Sequence, residues 1–183
     1  MEPARRELEV LVTSEVFRSC LYHAYLTQQE EVAGLLLGDK QVQPNGSVLI
    51  RCISSITNQR KIKEKDRVEI DPEQLSDAMV QAEQLSRDTG RLFDVVGWYH
   101  SHPNITVFPS QVDINTQLSM QMIGSDFIGI IFSVFVGSTK VSGSSAIGKT
   151  ELIAFQSYED YADGQKKART LRVKIVESDK LLR

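Results

Sequence analysis

Gly97-Trp98-Tyr99-His100-Ser101-His102-Pro103, followed shortly by Pro109-Ser110-Gln111-Val112-Asp113, is the stretch on which the reading of this chain turns. Its first half is apolar and ends in two histidines separated by one residue. That is the pattern of a buried strand delivering polar side chains at its end. Alternate residues of a strand point to the same side, so His100 and His102 can reach one point in space. The second half starts a helix, with Ser110 at the cap and Asp113 on the first turn. From there Asp113 can close a triangle with the two imidazoles. Imidazole and carboxylate are the ligand types of catalytic zinc, in which three protein ligands leave a fourth position for water. Pro103 and Pro109 stiffen the connection between the two halves. The pattern points to a zinc hydrolase.

Such a site needs a base to move the proton of its water. Glu31 is the candidate. It reads as opening the compact apolar strand 31–38, where a charged group ordinarily costs free energy. Glu30 beside it falls on the opposite face by alternation. Ser110 can donate a hydrogen bond to the oxyanion of a tetrahedral intermediate. Ser110-x-x-Asp113 is equally the spacing of a capping box with no chemistry at all, and one turn can serve both purposes.

Outward from this stretch, helical and extended patterns alternate, as in an α/β or α+β domain. Residues 9–12 read as a strand. Thr13 or Ser14 caps a helix to about residue 28, with Val16, Phe17, Cys20, Leu21 and Ala24 as its inner stripe. Strand 31–38 and strand 48–56 are joined through a turn containing Pro44-Asn45-Gly46. Asp71 and Pro72 begin a second helix, with Leu75, Met79, Ala82 and Leu85 inward and Gly90 at its end. Strand 92–99 then delivers His100. The helix from Ser110 turns Leu118 and Met122 inward, and strands follow at 127–136, 151–157 and 170–177. The run at 59–67 is densely charged and reads as a solvated insertion. Residues 137–149 read as a flexible Gly/Ser loop. The expected organisation is one catalytic domain over residues 8–183, with an insertion loop at 57–69 and the flexible loop at 137–150.

Composition narrows the function classes. The 183 residues carry 21 basic and 24 acidic groups, a net charge of −3. That balance argues against nucleic acid as a direct partner, since phosphate neutralisation needs a basic excess. Two cysteines, Cys20 and Cys52, exclude a Cys-rich structural zinc site and argue against a disulfide framework. The charged N-terminus lacks a signal-peptide core, and the longest apolar run is too short to span a bilayer. The expectation is no membrane association and a cytoplasmic or nuclear location. Gly143-Ser144-Ser145-Ala146-Ile147-Gly148-Lys149-Thr150 matches a phosphate-binding loop. That loop must lead into a helix, whereas 151–155 reads as a strand.

Glu31 ahead of Val32-Ala33-Gly34-Leu35, with His100-Ser101-His102-Pro103, Ser110 and Asp113, resembles the JAMM motif of MPN-plus metalloproteases. The resemblance covers about residues 8–157. It implies an MPN domain, a mixed and mainly antiparallel sheet flanked by helices in the cytidine-deaminase-like manner. It also implies one Zn2+ per chain on His100, His102 and Asp113, with Glu31 as general acid/base and Ser110 as oxyanion donor. The implied reaction is hydrolysis of the isopeptide bond joining ubiquitin to a lysine. Lys65-Asp66-Arg67-Val68-Glu69-Ile70-Asp71-Pro72, Val95-Val96-Gly97-Trp98 and Phe127-Ile128-Gly129-Ile130 are similar to the catalytic subunits of the BRISC and BRCA-A assemblies. This implies a K63-linked polyubiquitin substrate and an Abraxas-like MPN-minus partner within a heteromeric complex. Asn104, Phe108 and Gln111 stand where that subfamily usually has His, Trp and His. The alternative from another class is a non-catalytic MPN scaffold that binds ubiquitin or partner chains. Retention of all five motif residues is the feature that separates the two.

Overall fold

A computed structural model describes residues 6–57, 70–135 and 149–178. In chain order its elements are β1 (Leu8–Thr13), α1 (Ser14–Tyr25), β2 (Ala33–Val42), β3 (Val48–Thr57) and α2 (Pro72–Thr89). They continue as β4 (Asp94–Pro103), α3 (Gln111–Met120), β5 (Ile128–Phe135), β6 (Lys149–Glu159) and β7 (Lys166–Val176). Residues 58–69 of the insertion loop expected at 57–69, and 137–148 of the Gly/Ser loop expected at 137–150, lie outside the described residues. Thr57 itself is the last residue of β3. Lys149 and Thr150 open a strand that runs to Glu159, so the phosphate-loop pattern leads into β6 and not into a helix.

The strands are ordered β1-β3-β2-β4-β5-β6-β7 and close into a barrel where β7 meets β1. β1 runs parallel to both β3 and β7, and β4 runs parallel to β5. The remaining four pairings are antiparallel. The mixed, mainly antiparallel sheet with flanking helices therefore forms as expected. Closure was not foreseen, because both pairings of β1 are parallel and join segments far apart in the chain, where no turn signal marks them.

Alternation along the central strands feeds two cores. Leu36, Val96, Tyr99, Ile130 and Phe132 pack with Val16 and Cys20 of α1. Leu35, Leu37, Trp98, Ile131 and Phe155 pack with Ala78 and Ala82 of α2. With both faces covered, these strands read as continuous apolar runs. Thr13, not Ser14, caps α1, accepting the Val16 N–H at 3.3 Å. Asp71 caps α2, Pro72 is its first residue, and Gly90 ends it in the left-handed conformation.

Several expected details shift. On α2 Ala82 is buried and Leu75 packs on the core as expected, but Ala78 takes the inward place expected of Met79, which is exposed, because small side chains let the helix approach β4. β4 does not begin at Leu92, which is exposed, nor end before His100. It runs from Asp94 to Pro103, since parallel pairing with β5 persists to Pro103 opposite Val134. On α3, Met122 lies beyond the helix and is exposed, and the buried positions are the polar Asp113 and Gln117.

Gly34 is where β2 passes over the Tyr99 ring. A β-carbon there would sit 2.5 Å from a ring carbon and would collide with the Ile56 carbonyl. Gly34→Ala is expected to cost on the order of 1–3 kcal/mol of stability by overpacking. The urea-denaturation midpoint measures it, and an unchanged midpoint would show that β2 has room to shift.

Candidate metal centre

The site is built from β4, the turn after it and the first turn of α3. His100 and His102 project from the same face of β4, and both are buried. Their Nε2 atoms lie 3.2 Å apart. Asp113 brings Oδ1 to 3.1 Å from Nε2 of His100 and Oδ2 to 3.5 Å from Nε2 of His102. Asp113 is aimed by its place on the helix. The Ser110 N–H donates to Asp113 Oδ2 at 2.6 Å, and the Asp113 N–H donates to Ser110 Oγ at 3.2 Å. The capping box is thus real, and it holds the carboxylate against the two imidazoles. Cap and cluster are one device.

These three side chains form a buried group that can hold a metal ion. Two observations test the fit. The His102 Nδ1 lies 2.6 Å from the Thr106 carbonyl. That acceptor assigns the proton to Nδ1 and leaves the Nε2 lone pair facing the cluster. His102 then turns a lone pair, and Asp113 a carboxylate oxygen, toward the point that His100 Nε2 also faces, a donor set that suits a divalent cation. The separations also match the ion. Nitrogen and oxygen ligands at about 2.0–2.1 Å around a tetrahedral zinc stand about 3.3 Å from one another.

Charge follows the same geometry. Burial alone would push the Asp113 carboxyl up, but hydrogen bonds from His100, His102 and Ser110, with the coulombic effect of His100, hold it far below the usual carboxylate range. Burial alone would lower His102. Its bonds to Asp113 and the Thr106 carbonyl, and the charges of Asp113 and Glu31, outweigh that and raise it.

Glu31 reaches this cluster, with Oε1 at 3.9 Å from Nε2 of His102. It does not open β2 as expected. The strand starts at Ala33, and Glu31 sits in the segment leading into it. The carboxylate is therefore half-buried at the edge of the site and not embedded in the sheet, which removes most of the desolvation cost a strand-interior charge would carry. Ser110 is at the exposed lip of the centre.

Trp98 and Gln117 were missed as site residues. The Trp98 indole stacks on the His100 ring, with centroids 4.6 Å apart and planes at 14°. Its Nε1–H donates to Gln117 Oε1 at 2.6 Å, and Gln117 Nε2 donates to the Phe127 carbonyl at 2.8 Å. Gln117 follows Asp113 by one turn of α3, so this bond fastens the helix carrying the carboxylate to the strand carrying the histidines. A glutamine four residues after an aspartate was the available signal. The three departures from the subfamily pattern lie outside the cluster. Asn104 takes a left-handed φ of 58°, which asparagine tolerates well, and Phe108 and Gln111 are exposed.

A mixed barrel that offers His-x-His from a central strand and an aspartate from the next helix defines an MPN-type domain. The chain belongs to the family described as JAB1/Mov34/MPN/PAD-1 ubiquitin protease, which matches residues 6–126. It is 40% identical over 166 residues to the Lys-63-specific deubiquitinase BRCC36 of Xenopus laevis, covering 91% of this chain and 59% of that protein. The mouse protein of that name is 40% identical over 186 residues, covering 91% and 61%. The human one is 41% identical over 170 residues, covering 82% and 52%. The chain thus spans little more than half the length of these relatives. The solution structure of protein DSY2949 from Desulfitobacterium hafniense shares the fold, with a TM-score of 0.58 at 16% identity over 92% of this chain and 94% of that one.

Gln117→Leu leaves the buried Trp98 N–H without its acceptor, while the Phe127 carbonyl keeps the Gln156 amide as donor, and is expected to cost about 1–3 kcal/mol in chemical denaturation. The titration of the centre gives a second expectation. A raised His102 pKa means that its pairing with Asp113 stabilises the metal-free fold fully below the ordinary value of 6.5 and is lost as pH rises through the higher folded value. Asp113, held low, gives way only in strong acid. Metal-free protein should therefore lose stability as pH rises above 6.5, while zinc-loaded protein should gain it, because protons compete with the ion. Denaturation midpoints across pH, with and without chelator, check this, and parallel profiles would refute it.

Proposed function

We propose that this chain is a zinc-dependent isopeptidase that cleaves K63-linked polyubiquitin, acting with an MPN-minus partner in the cytosol or nucleus. The observation that carries the reading is the convergence of His100, His102 and Asp113 within 3.1–3.5 Å, with the Glu31 carboxylate 3.9 Å from His102. The names of the relatives supply the substrate. Cys20 and Cys52, both free and buried, suit a reducing compartment. Among the described residues no helix is long and apolar enough to cross a membrane.

His100 and His102 through Nε2, and Asp113 through its carboxylate, would hold the ion. A zinc there supplies Lewis acidity toward the scissile carbonyl and a water whose pKa is near neutral. Glu31 Oε1 takes the proton of the attacking water and returns it to the lysine amine as that group leaves. Ser110 Oγ already accepts the Asp113 N–H, so its own hydrogen is available to the developing oxyanion at the open edge of the site. The Thr106 carbonyl and the Trp98 ring keep the two imidazoles in register throughout.

The test is cleavage of K63-linked di-ubiquitin, with and without chelator and with and without an MPN-minus partner. Cleavage should be chelator-sensitive and much faster with the partner. Glu31→Gln should abolish it while the protein still binds one zinc per chain. Ser110→Ala should slow it by on the order of a hundredfold or more. Loss of zinc from Glu31→Gln would instead make Glu31 a ligand, and a negligible effect of Ser110→Ala would leave Ser110 only its cap.

A further inference from the structure

Ser101 separates the two histidines and points to the other face of β4, where it is fully buried. Nothing in the proposed chemistry uses it. Its hydrogen bonds, however, reach the segment that carries Glu31. The Ser101 N–H donates to the Val32 carbonyl at 2.9 Å. The Val32 N–H donates to Ser101 Oγ, also at 2.9 Å.

The register explains what these two bonds do. Ala33 lies opposite His100, Gly34 opposite Tyr99 and Leu35 opposite Trp98. Each step back along β2 is one step forward along β4. Continued past the start of β2, the same register sets Val32 opposite Ser101 and Glu31 opposite His102. In an antiparallel ladder every second facing pair exchanges two backbone bonds, N–H to C=O in each direction. Val32 and Ser101 keep one of these. The other is taken by the Ser101 hydroxyl in place of its carbonyl. The side chain thus completes a ladder rung at the point where the backbone of β2 leaves the sheet.

We infer that Ser101 is the positioning residue for Glu31: its hydroxyl extends the β2–β4 ladder by one rung and so holds the Glu31 carboxylate across from His102. The inference rests on the assignment of Glu31 as the general base. Ser101 touches neither the metal-ligand atoms nor the site opening, and it acts only through Val32. An alanine there leaves the strand, the histidines and the backbone half of the rung in place. It removes the one acceptor that fixes the amide next to Glu31. A base displaced by about 1 Å from its working position loses on the order of a hundredfold in rate.

The test uses the full chain with zinc and an MPN-minus partner, K63-linked di-ubiquitin as substrate, and Ser101→Ala, Ser101→Thr and Glu31→Gln as variants. Ser101→Ala should lower kcat by about tenfold to a hundredfold, leave KM unchanged and leave one zinc bound per chain. Ser101→Thr, which keeps the acceptor oxygen, should recover most of the loss. The second readout is amide hydrogen exchange at Val32, which is independent of catalysis. It should be slow in the wild-type protein and at least about tenfold faster in Ser101→Ala, with β4 and β5 unaffected. Rapid exchange at Val32 in the wild type, or equal exchange in Ser101→Ala, overturns the rung even if turnover falls. Wild-type turnover in Ser101→Ala alongside an inactive Glu31→Gln overturns the positioning role alone. Full turnover in Glu31→Gln overturns the assignment of the base, and with it the claim that Ser101 serves one.

Discussion

The antiparallel pairing of β2 with β4 is the constraint on which the rest of the site depends. One register value, Ala33 opposite His100, decides which side chains of the two strands share a face. It sends Leu35 and Trp98 to one core and Leu36 and Tyr99 to the other. A slip by one residue would invert that whole assignment and bury every wrong side chain. Gly34 makes the register possible, because β2 crosses the Tyr99 ring with no room for a side chain. The pairing of β4 with β5 then secures the other edge as far as Pro103. The histidines consequently ride on a strand hydrogen-bonded on both sides, and rigid elements place reactive groups more accurately than loops do.

A cluster of this kind is costly to bury. His100 has a buried Nδ1 with no hydrogen-bond partner among the described residues, and its Nε2 faces another imidazole nitrogen and a carboxylate. Buried polar groups left in that state destabilise a fold. The chain offsets the cost in the surrounding layer. Trp98 covers the His100 ring, Thr106 fixes the His102 tautomer, and the capping box holds Asp113. The amide chain from Gln117 continues through Gln121, whose Oε1 accepts the Ser157 N–H at 2.8 Å. The Gln156 amide donates to the Phe127 carbonyl that Gln117 also uses. The buried side-chain amides of Gln117 and Gln156 are thus satisfied, and the helix that supplies Asp113 is tied to β4, to β6 and to Phe127 just ahead of β5.

Much of this was legible in the residues. The period-2 pattern and the helix caps locate most elements to within a few positions, because they depend on neighbours in the chain. The triangle of His100, His102 and Asp113 was legible for the same reason: strand alternation and one helical turn are local geometry. What escaped was set at long range. Barrel closure needs β1 to find β3 and β7 in parallel, and no turn announces either. The start of β2 at Ala33 is set by its partners and not by the apolar run, which is why Glu31 sits ahead of the strand. Hydrophobicity points the inward face of α3 to Leu118 and Met122, whereas that face answers to the Trp98 indole and the Phe127 carbonyl.

The split between buried centre and exposed lip bears on specificity. Cleaving an isopeptide bond asks only for the ion, a base and an oxyanion donor, and these see the same atoms in every ubiquitin linkage. Discrimination between linkages is a difference in affinity for what surrounds that bond. It must be expressed by surface outside the cluster. Asn104, Phe108 and Gln111 all stand there, as do the exposed Ile105 and Val112. The chain therefore departs from the subfamily pattern on the surface around the site and matches it at the buried cluster. The proposed chemistry rests on the second fact; a shared linkage preference does not follow from the first.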